Sequence, residues 1–197
     1  MKKAILFDMD GVLIDSHDTW FERFNAALKH FGFSEISVEE FDKNIWAINF
    51  TETVHQYFPG KTVDEIREYY RTNSDRFIEN IKKMENVDEI LVHIKKQGLK
   101  TAIVSNSQTN LIKTVLTKID ISKYFDITIG GERVKHGKPN PEILLVACNE
   151  LNLKPEETIM IGDTIYDKQA AEAAGCDFIG YKMGDIDDLM ELKEKIK

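Results

Sequence analysis

The sequence predicts an α/β protein: a parallel sheet whose strands alternate with helices, interrupted after its first strand by an all-helical insertion. Two observations carry this expectation. Five short apolar runs, at Ala4–Phe7, 101–104, 125–129, 158–161 and 178–181, are each bounded by Gly, Asp, Ser or Asn. Near-continuous apolar runs of that length read as strands buried on both faces, as in a parallel sheet. From about residue 86 onward these runs alternate with amphipathic helical patterns, and βαβα order implies a sheet with right-handed crossovers.

The elements follow in order. The first run ends at Asp8-Met9-Asp10, and the next strand is expected only near Leu99. Between them lie helical stretches at about 19–31, 37–46, 49–57, 63–77 and 78–83, with Pro59-Gly60 as a turn. A βαβ crossover needs one helix, so several helices mark an inserted domain over residues 16–82, with the sheet domain formed by 1–15 and 83–197. Val87, Ile90, Leu91 and Ile94 then share one helical face, and Gly98 stops that helix. Leu111, Ile112, Val115, Leu116 and Ile119 repeat the pattern. In Pro139-Asn140-Pro141, Asn140 is suited to cap a helix and Pro141 to its first position, and the helix continues through Leu144, Leu145 and Cys148. The mixed-charge tail, 185–197, reads as an amphipathic surface helix.

Composition bounds the function. The 197 residues are 42% hydrophobic and 30% charged, an ordinary globular balance that excludes disorder and fibrous repeats. With 34 acidic and 26 basic residues the net charge is −8, which argues against a nucleic acid polymer as partner. Cys148 and Cys176 lack Cys-x-x-Cys or metal spacing and read as buried small apolar residues. Lys2 and Lys3 are followed by an apolar run that stops at Asp8, too short for a signal peptide. No apolar stretch approaches the ~20 residues of a membrane helix. A cytoplasmic protein without a membrane partner is expected.

The chemistry-bearing residues gather at strand ends. Asp8 and Asp10 follow the first strand, and residues two apart in an extended segment point the same way. Val104 is followed by Ser105-Asn106-Ser107, the third strand leads to Gly130-Gly131 and then Gly137-Lys138-Pro139, and Ile161 is followed by Gly162-Asp163-Thr164. Asp167 lies four residues beyond Asp163, on the same face of a helix N-terminus. Singly, Ser105 reads as a turn residue, Lys138 as a solvated charge and Asp163 as an N-cap. Together they put carboxylates, a hydroxyl and a lysine at the carboxyl rim of the sheet, where open α/β sheets bind ligands. Clustered acids favour a hard divalent cation with oxygen ligands, and Mg²⁺ is expected. A carboxylate facing a phosphate dianion at ~4 Å is repelled by roughly 8 kcal/mol at an effective dielectric of about 20. Mg²⁺ and one lysine offset that repulsion, and a hydroxyl and backbone N–H groups add directed hydrogen bonds to phosphate oxygens.

The four motifs, Asp8-Met9-Asp10-Gly11-Val12, Ser105-Asn106, Lys138-Pro139 and Gly162-Asp163-Thr164-Ile165-Tyr166-Asp167, resemble in order and spacing those of the haloacid dehalogenase-like (HAD) phosphohydrolase superfamily. Ile129-Gly130-Gly131, Lys138-Pro139-Asn140-Pro141 and residues 169–175 are similar to its phosphoglycolate phosphatase and β-phosphoglucomutase branch. The resemblance implies a Rossmann-like parallel-sheet core with an inserted all-α helical cap. It also implies a Mg²⁺-dependent phosphatase of small phosphorylated metabolites, working through an aspartyl-phosphate. By the same resemblance Asp8 is the nucleophile and Asp10 the acid and then the base. Ser105 and the Asn106 backbone N–H hold the phosphoryl group, and Lys138 pairs with both nucleophile and phosphate. Asp8, the Asp10 carbonyl and Asp163 hold the metal, and Asp167 orients Lys138 or a metal-bound water. The cap closes over the site and contacts the organic part of the substrate.

The mutases of this branch carry a His where Trp20 stands, and a basic pair in the cap stretch that corresponds to 46–50, where this chain has Trp-Ala-Ile-Asn-Phe. Hydrolysis is therefore expected over β-phosphoglucomutase-like transfer, with nucleotidase or pyrophosphatase activity as further alternatives. His17 is read as a solvated or hinge-packing residue, and Trp46 and Phe50 as packing within the cap. A dehalogenase lacks the second acid that Asp10 supplies. A phospho-acceptor receiver has no cap and carries its Asp on a middle strand, and a non-catalytic relative would have lost one of these polar groups.

Overall fold

The structure is a computed structural model that describes residues 1–46, 48 and 50–196. Its backbone divides into two compact units, Met1–Asp15 with Lys82–Lys197 and Ser16–Ile81.

The chain begins with β1 (Ala4–Phe7), all four residues buried. A tight turn follows, in which Gly11 N–H donates to the Ile14 carbonyl at 3.0 Å and Leu13 N–H to that of Met9 at 3.0 Å. Two-residue β2 (Ile14–Asp15) leads out of the sheet unit.

The helical unit comprises α1 (His17–His30), α2 (Val38–Asn44), α3 (Phe50–Tyr57), α4 (Val63–Thr72) and α5 (Ser74–Ile78). Ser37 caps α2 through Glu40 N–H, and Thr62 with Glu65 closes a capping box on α4. The core is aromatic: Phe24 lies edge-on to Tyr57 and Phe58 with ring centroids 5.5 and 5.6 Å apart, and Phe41 packs beside it. Burying each such ring is worth roughly 1.5–3 kcal/mol. Buried Asn25 bonds both backbone groups of Ile36, at 3.1 and 2.9 Å, fastening the α1–α2 connection. The expected single helix over 63–77 is instead two. The Asn73 side chain donates to the Tyr69 carbonyl at 2.8 Å, competing with the helical ladder. Trp46 and Phe50 pack against the aromatic core. Ala47 and Asn49 of the same stretch lie outside the described residues. His17 pairs with Asp42 at 2.5 Å and its ring lies tilted against Trp46 with centroids 4.9 Å apart, while 34% of its side chain stays exposed.

On return, β3 (Lys82–Lys83) pairs antiparallel with β2, Ile14 opposite Lys83 and Asp15 opposite Lys82. This corrects two expectations, a helix over 78–83 and no strand before Leu99. Lys82 and Lys83 have no apolar side chain to bury in a helix, and pairing with Ile14–Asp15 takes them into a strand.

The sheet unit continues through α6 (Val87–Lys96), β4 (Lys100–Ser105), α7 (Thr109–Lys118), β5 (Ile127–Gly130), α8 (Glu142–Glu150), β6 (Thr158–Gly162), α9 (Ile165–Ala174), β7 (Asp177–Gly180) and α10 (Leu192–Lys195). Five strands form one parallel sheet in the order β5-β4-β1-β6-β7. One face packs Ala4, Leu6, Ala102, Val104 and Met160 against Ile143, Leu144 and Ala147 of α8 and Ala170 and Ala171 of α9. Ile5 and Phe7, pointing the other way, are equally buried, so the run is apolar throughout. Both cysteines are free and buried. α8 begins one residue later than expected: Asn140 Oδ1 still accepts from Glu142 N–H at 3.0 Å, and Pro141 precedes the first helical residue. The tail is not a surface helix, because Ile186, Leu189, Leu192 and Ile196 are buried in it, and only Leu192–Lys195 is α-helical. Lys197 lies outside the described residues. Among the described residues no helix is long and apolar enough to cross a membrane.

Candidate active site

The site follows from the topology. β1 is the central strand, flanked by β4 and β6, and the chain crosses from β5 on one side to β6 on the other. Such a switch in strand order opens a crevice at the carboxyl ends. Asp8 follows β1, Ser105 ends β4 and Asp163 follows β6.

Asp8 is 7% exposed, and its backbone N–H extends the ladder to Ile161 at 2.9 Å. Lys138, 6% exposed, reaches in from the loop before α8. Its ammonium lies 2.8 Å from Asp8 Oδ1 and 2.5 Å from Asp167 Oδ1, and it donates to the Val104 carbonyl at 3.2 Å. Its three N–H donors therefore have three acceptors, so Lys138 is not a solvated charge. Asp167 is fully buried in the first turn of α9. Its Oδ2 accepts from Thr164 N–H at 3.1 Å and Thr164 Oγ at 2.5 Å, while Thr164 Oγ accepts from Asp167 N–H at 3.3 Å. Thr164, not Asp163, is the N-cap of α9.

Burial is the largest influence on Asp8 and pushes its carboxyl well above the usual range. Lys138 pulls it back, and Asp167, Asp163 and Asp10 push it further up. Burial likewise opposes the charge on Lys138, but Asp167 and Asp8 outweigh it and hold the ammonium above its ordinary value. Asp163 is pushed up to about 7, by burial first and then by Asp167, against the opposing pull of Lys138.

Asp8, Asp163 and Asp167 each offer a carboxylate oxygen, and these oxygens lie within 4.8 Å of one another. Lys138 pairs with two of these three acids, Asp8 and Asp167. Asp163 Oδ1 is buried with no hydrogen-bond partner, and such an orphaned acceptor costs free energy unless something binds it. A hard divalent cation with oxygen ligands fits this donor set. Gly11 belongs to the same construction: its φ is +74°, and a Cβ there would overlap the Asp163 carboxylate.

Asp10 lies near enough for its charge to raise both Asp8 and Asp163. Its Oδ2 accepts from Ser107 Oγ at 3.3 Å. Ser105, 2% exposed, accepts from Ser107 N–H at 3.1 Å, which holds its hydroxyl at the end of β4. The Asn106 side chain bonds the backbone of Lys138 rather than standing open. The contributions of Ser107, Thr164 and the Val104 carbonyl escape a reading of the sequence. Only Thr164 left a signal, the Thr-x-x-Asp spacing of a capping box.

Fold and site together define an α/β protein with an acid-rich, lysine-bearing centre at the carboxyl rim of its sheet. Residues 5–181 match the model of the haloacid dehalogenase-like hydrolases, and the chain belongs to that family, in its phosphoglycolate phosphatase-like branch. It is 30% identical to a phosphoglycolate phosphatase of Photorhabdus laumondii, covering 92% of this chain and 81% of the relative. It is also 30% identical to the pyrophosphatase PpaX of Bacillus mycoides, covering 87% and 80%. The crystal structure of a predicted phosphoglycolate phosphatase from Haemophilus somnus superposes with a TM-score of 0.81 at 26% identity, covering 100% of this chain and 98% of that one.

Proposed function

We propose that the protein is a Mg²⁺-dependent phosphatase that hydrolyses small phosphomonoesters through an aspartyl-phosphate on Asp8. The observation that carries this reading is the buried lysine bridging Asp8 and Asp167, at 2.8 and 2.5 Å, beside the unpartnered Asp163 oxygen.

In the first step an Asp8 carboxylate oxygen attacks phosphorus, the bond to the ester oxygen breaks, and Asp10 donates a proton to the departing alkoxide. In the second, water attacks the acyl phosphate, Asp10 takes its proton, and the bond from phosphorus to the Asp8 oxygen breaks, releasing phosphate and restoring the carboxylate. Lys138 favours the ionised nucleophile, which burial disfavours, and offsets phosphoryl charge. Ser105 Oγ and the Asn106 backbone N–H donate to phosphoryl oxygens. Asp8, the Asp10 carbonyl and Asp163 would hold Mg²⁺, which supplies charge neutralisation between carboxylates and phosphate when bound. Asp167, with both oxygens already engaged, orients Lys138. The helical unit would serve as the cap that discriminates among substrates.

Hydrolysis is favoured over sugar-phosphate transfer because Trp20 stands at the mutases' His position, and its ring faces the Arg23 guanidinium at 5.1 Å. The pyrophosphatase relative makes pyrophosphate the second candidate substrate. A phosphate-release panel of phosphoglycolate, sugar phosphates, nucleoside monophosphates and pyrophosphate, each with Mg²⁺ or chelator, tests the reading. Release from one or more monoesters, abolished by chelator, is expected. Turnover of pyrophosphate alone, or interconversion without phosphate release, would overturn it.

A further inference from the structure

Lys138 works only if its ammonium sits in the gap between Asp8 and Asp167, yet its backbone belongs to no strand or helix. It lies in the loop between a 3₁₀ turn at Gly131–Arg133 and α8. One side chain fixes that backbone. Asn106 Oδ1 accepts from Lys138 N–H at 2.9 Å, and Asn106 Nδ2 donates to the Lys138 carbonyl at 3.1 Å. Both hydrogen-bonding groups of one residue are thus closed by one amide, much as a neighbouring strand would close them. The fit is tight from the preceding residue, since a Cβ on Gly137 would overlap Asn106 Oδ1.

Asn106 directly follows Ser105, the last residue of β4, whose register is set by β1 and β5 on either side. The other end of Lys138 returns to the same strand, because its ammonium donates to the Val104 carbonyl at 3.2 Å. The lysine is therefore held at backbone and amine by residues 106 and 104. The geometry needs asparagine: aspartate lacks the donor, and alanine and serine cannot bridge both backbone groups.

Resting on the phosphatase reading, we propose that Asn106 is a positioning residue for Lys138. Its side-chain amide registers the lysine loop to β4 and so sets where the ammonium meets Asp8. This role is separate from any contact of the Asn106 backbone N–H with phosphate, and it survives removal of substrate.

The test uses the full chain with p-nitrophenyl phosphate and Mg²⁺. Asn106→Ala is expected to lower kcat about 10- to 100-fold with KM changed less than about threefold, as for a displaced catalytic group. In a Lys138→Met background the same substitution should add less than about twofold, because nothing is left to position. An equal factor in both backgrounds would overturn the proposal. Amide hydrogen exchange supplies a readout that needs neither Lys138→Met nor activity: the Lys138 amide should lose protection in Asn106→Ala and in the milder Asn106→Ser. Unchanged protection in both would equally overturn it. A wild-type chain inactive on every ester would sink the phosphatase reading, while the exchange experiment would still judge the clamp.

Discussion

Replacing Lys138 by methionine removes a buried cation from between two buried carboxylates. At 2.8 and 2.5 Å, and at an effective dielectric of about 20, the two attractions are about 6 and 7 kcal/mol. Desolvating the ammonium costs several kcal/mol, so the net contribution is far smaller than the sum. The substitution also leaves Asp8 and Asp167 facing one another within 4.8 Å, a repulsion of at least about 3 kcal/mol on the same scale. Removing one partner from a buried ion pair costs about 3–5 kcal/mol, and a loss of that size is expected at pH 7 in chelator. The sign with pH follows from Asp8. Burial already raises its carboxyl in the folded protein, and Lys138 is the first influence opposing that, so in the variant it rises further. An acid whose folded value lies above its unfolded value binds more protons when folded, so stability falls as pH rises between the two. The gap between wild type and variant should therefore widen as pH rises past the folded value of Asp8 in the wild type. Urea unfolding followed by circular dichroism measures it, since Trp20 and Trp46 both lie in the helical unit and fluorescence would miss the sheet. A gap under about 1 kcal/mol at pH 7, or one that narrows as pH rises, would contradict this.

Three further outcomes concern the same centre. Asp163 is pushed up to about 7 from 3.8, so in chelator stability should fall by roughly 4 kcal/mol as pH rises between these values. Mg²⁺ engages the ionised carboxylate and should raise the melting temperature more at pH 8 than at pH 5; an equal rise at both, or none, contradicts the metal assignment. Gly11→Ala places a Cβ in the left-handed region at φ +74° and against the Asp163 carboxylate. It should cost at least about 1–2 kcal/mol in urea unfolding and raise the Mg²⁺ concentration needed for activity; wild-type behaviour in both assays would show that Gly11 does not shape the Asp163 site.

The sheet was legible because its strands are buried on both faces, and a run such as Ala4–Phe7 has no amphipathic alternative. Asp8, Ser105 and Asp163 were legible because the carboxyl end of a parallel strand is a position that sequence alone defines. What lay hidden depends on contacts distant in sequence. The Asn106 amide meets a backbone 32 residues away, and β3 exists only because Ile14–Asp15 lies beside it. The burial of Ile186 and Leu189 was masked by the charges around them, which made the tail read as a surface helix. Asp10, two residues beyond Asp8, also bonds Ser107 of the β4 loop, a contact that strand alternation does not foretell.

The proposed catalysis turns on one covalent bond. Full-length protein mixed with p-nitrophenyl phosphate and Mg²⁺, quenched in acid and digested, should carry a transient phosphoryl group on the peptide containing Asp8. The label should disappear, together with phosphate release, in a folded Asp8→Asn variant. Phosphate release by that variant, or a label on any other residue, would contradict the central claim.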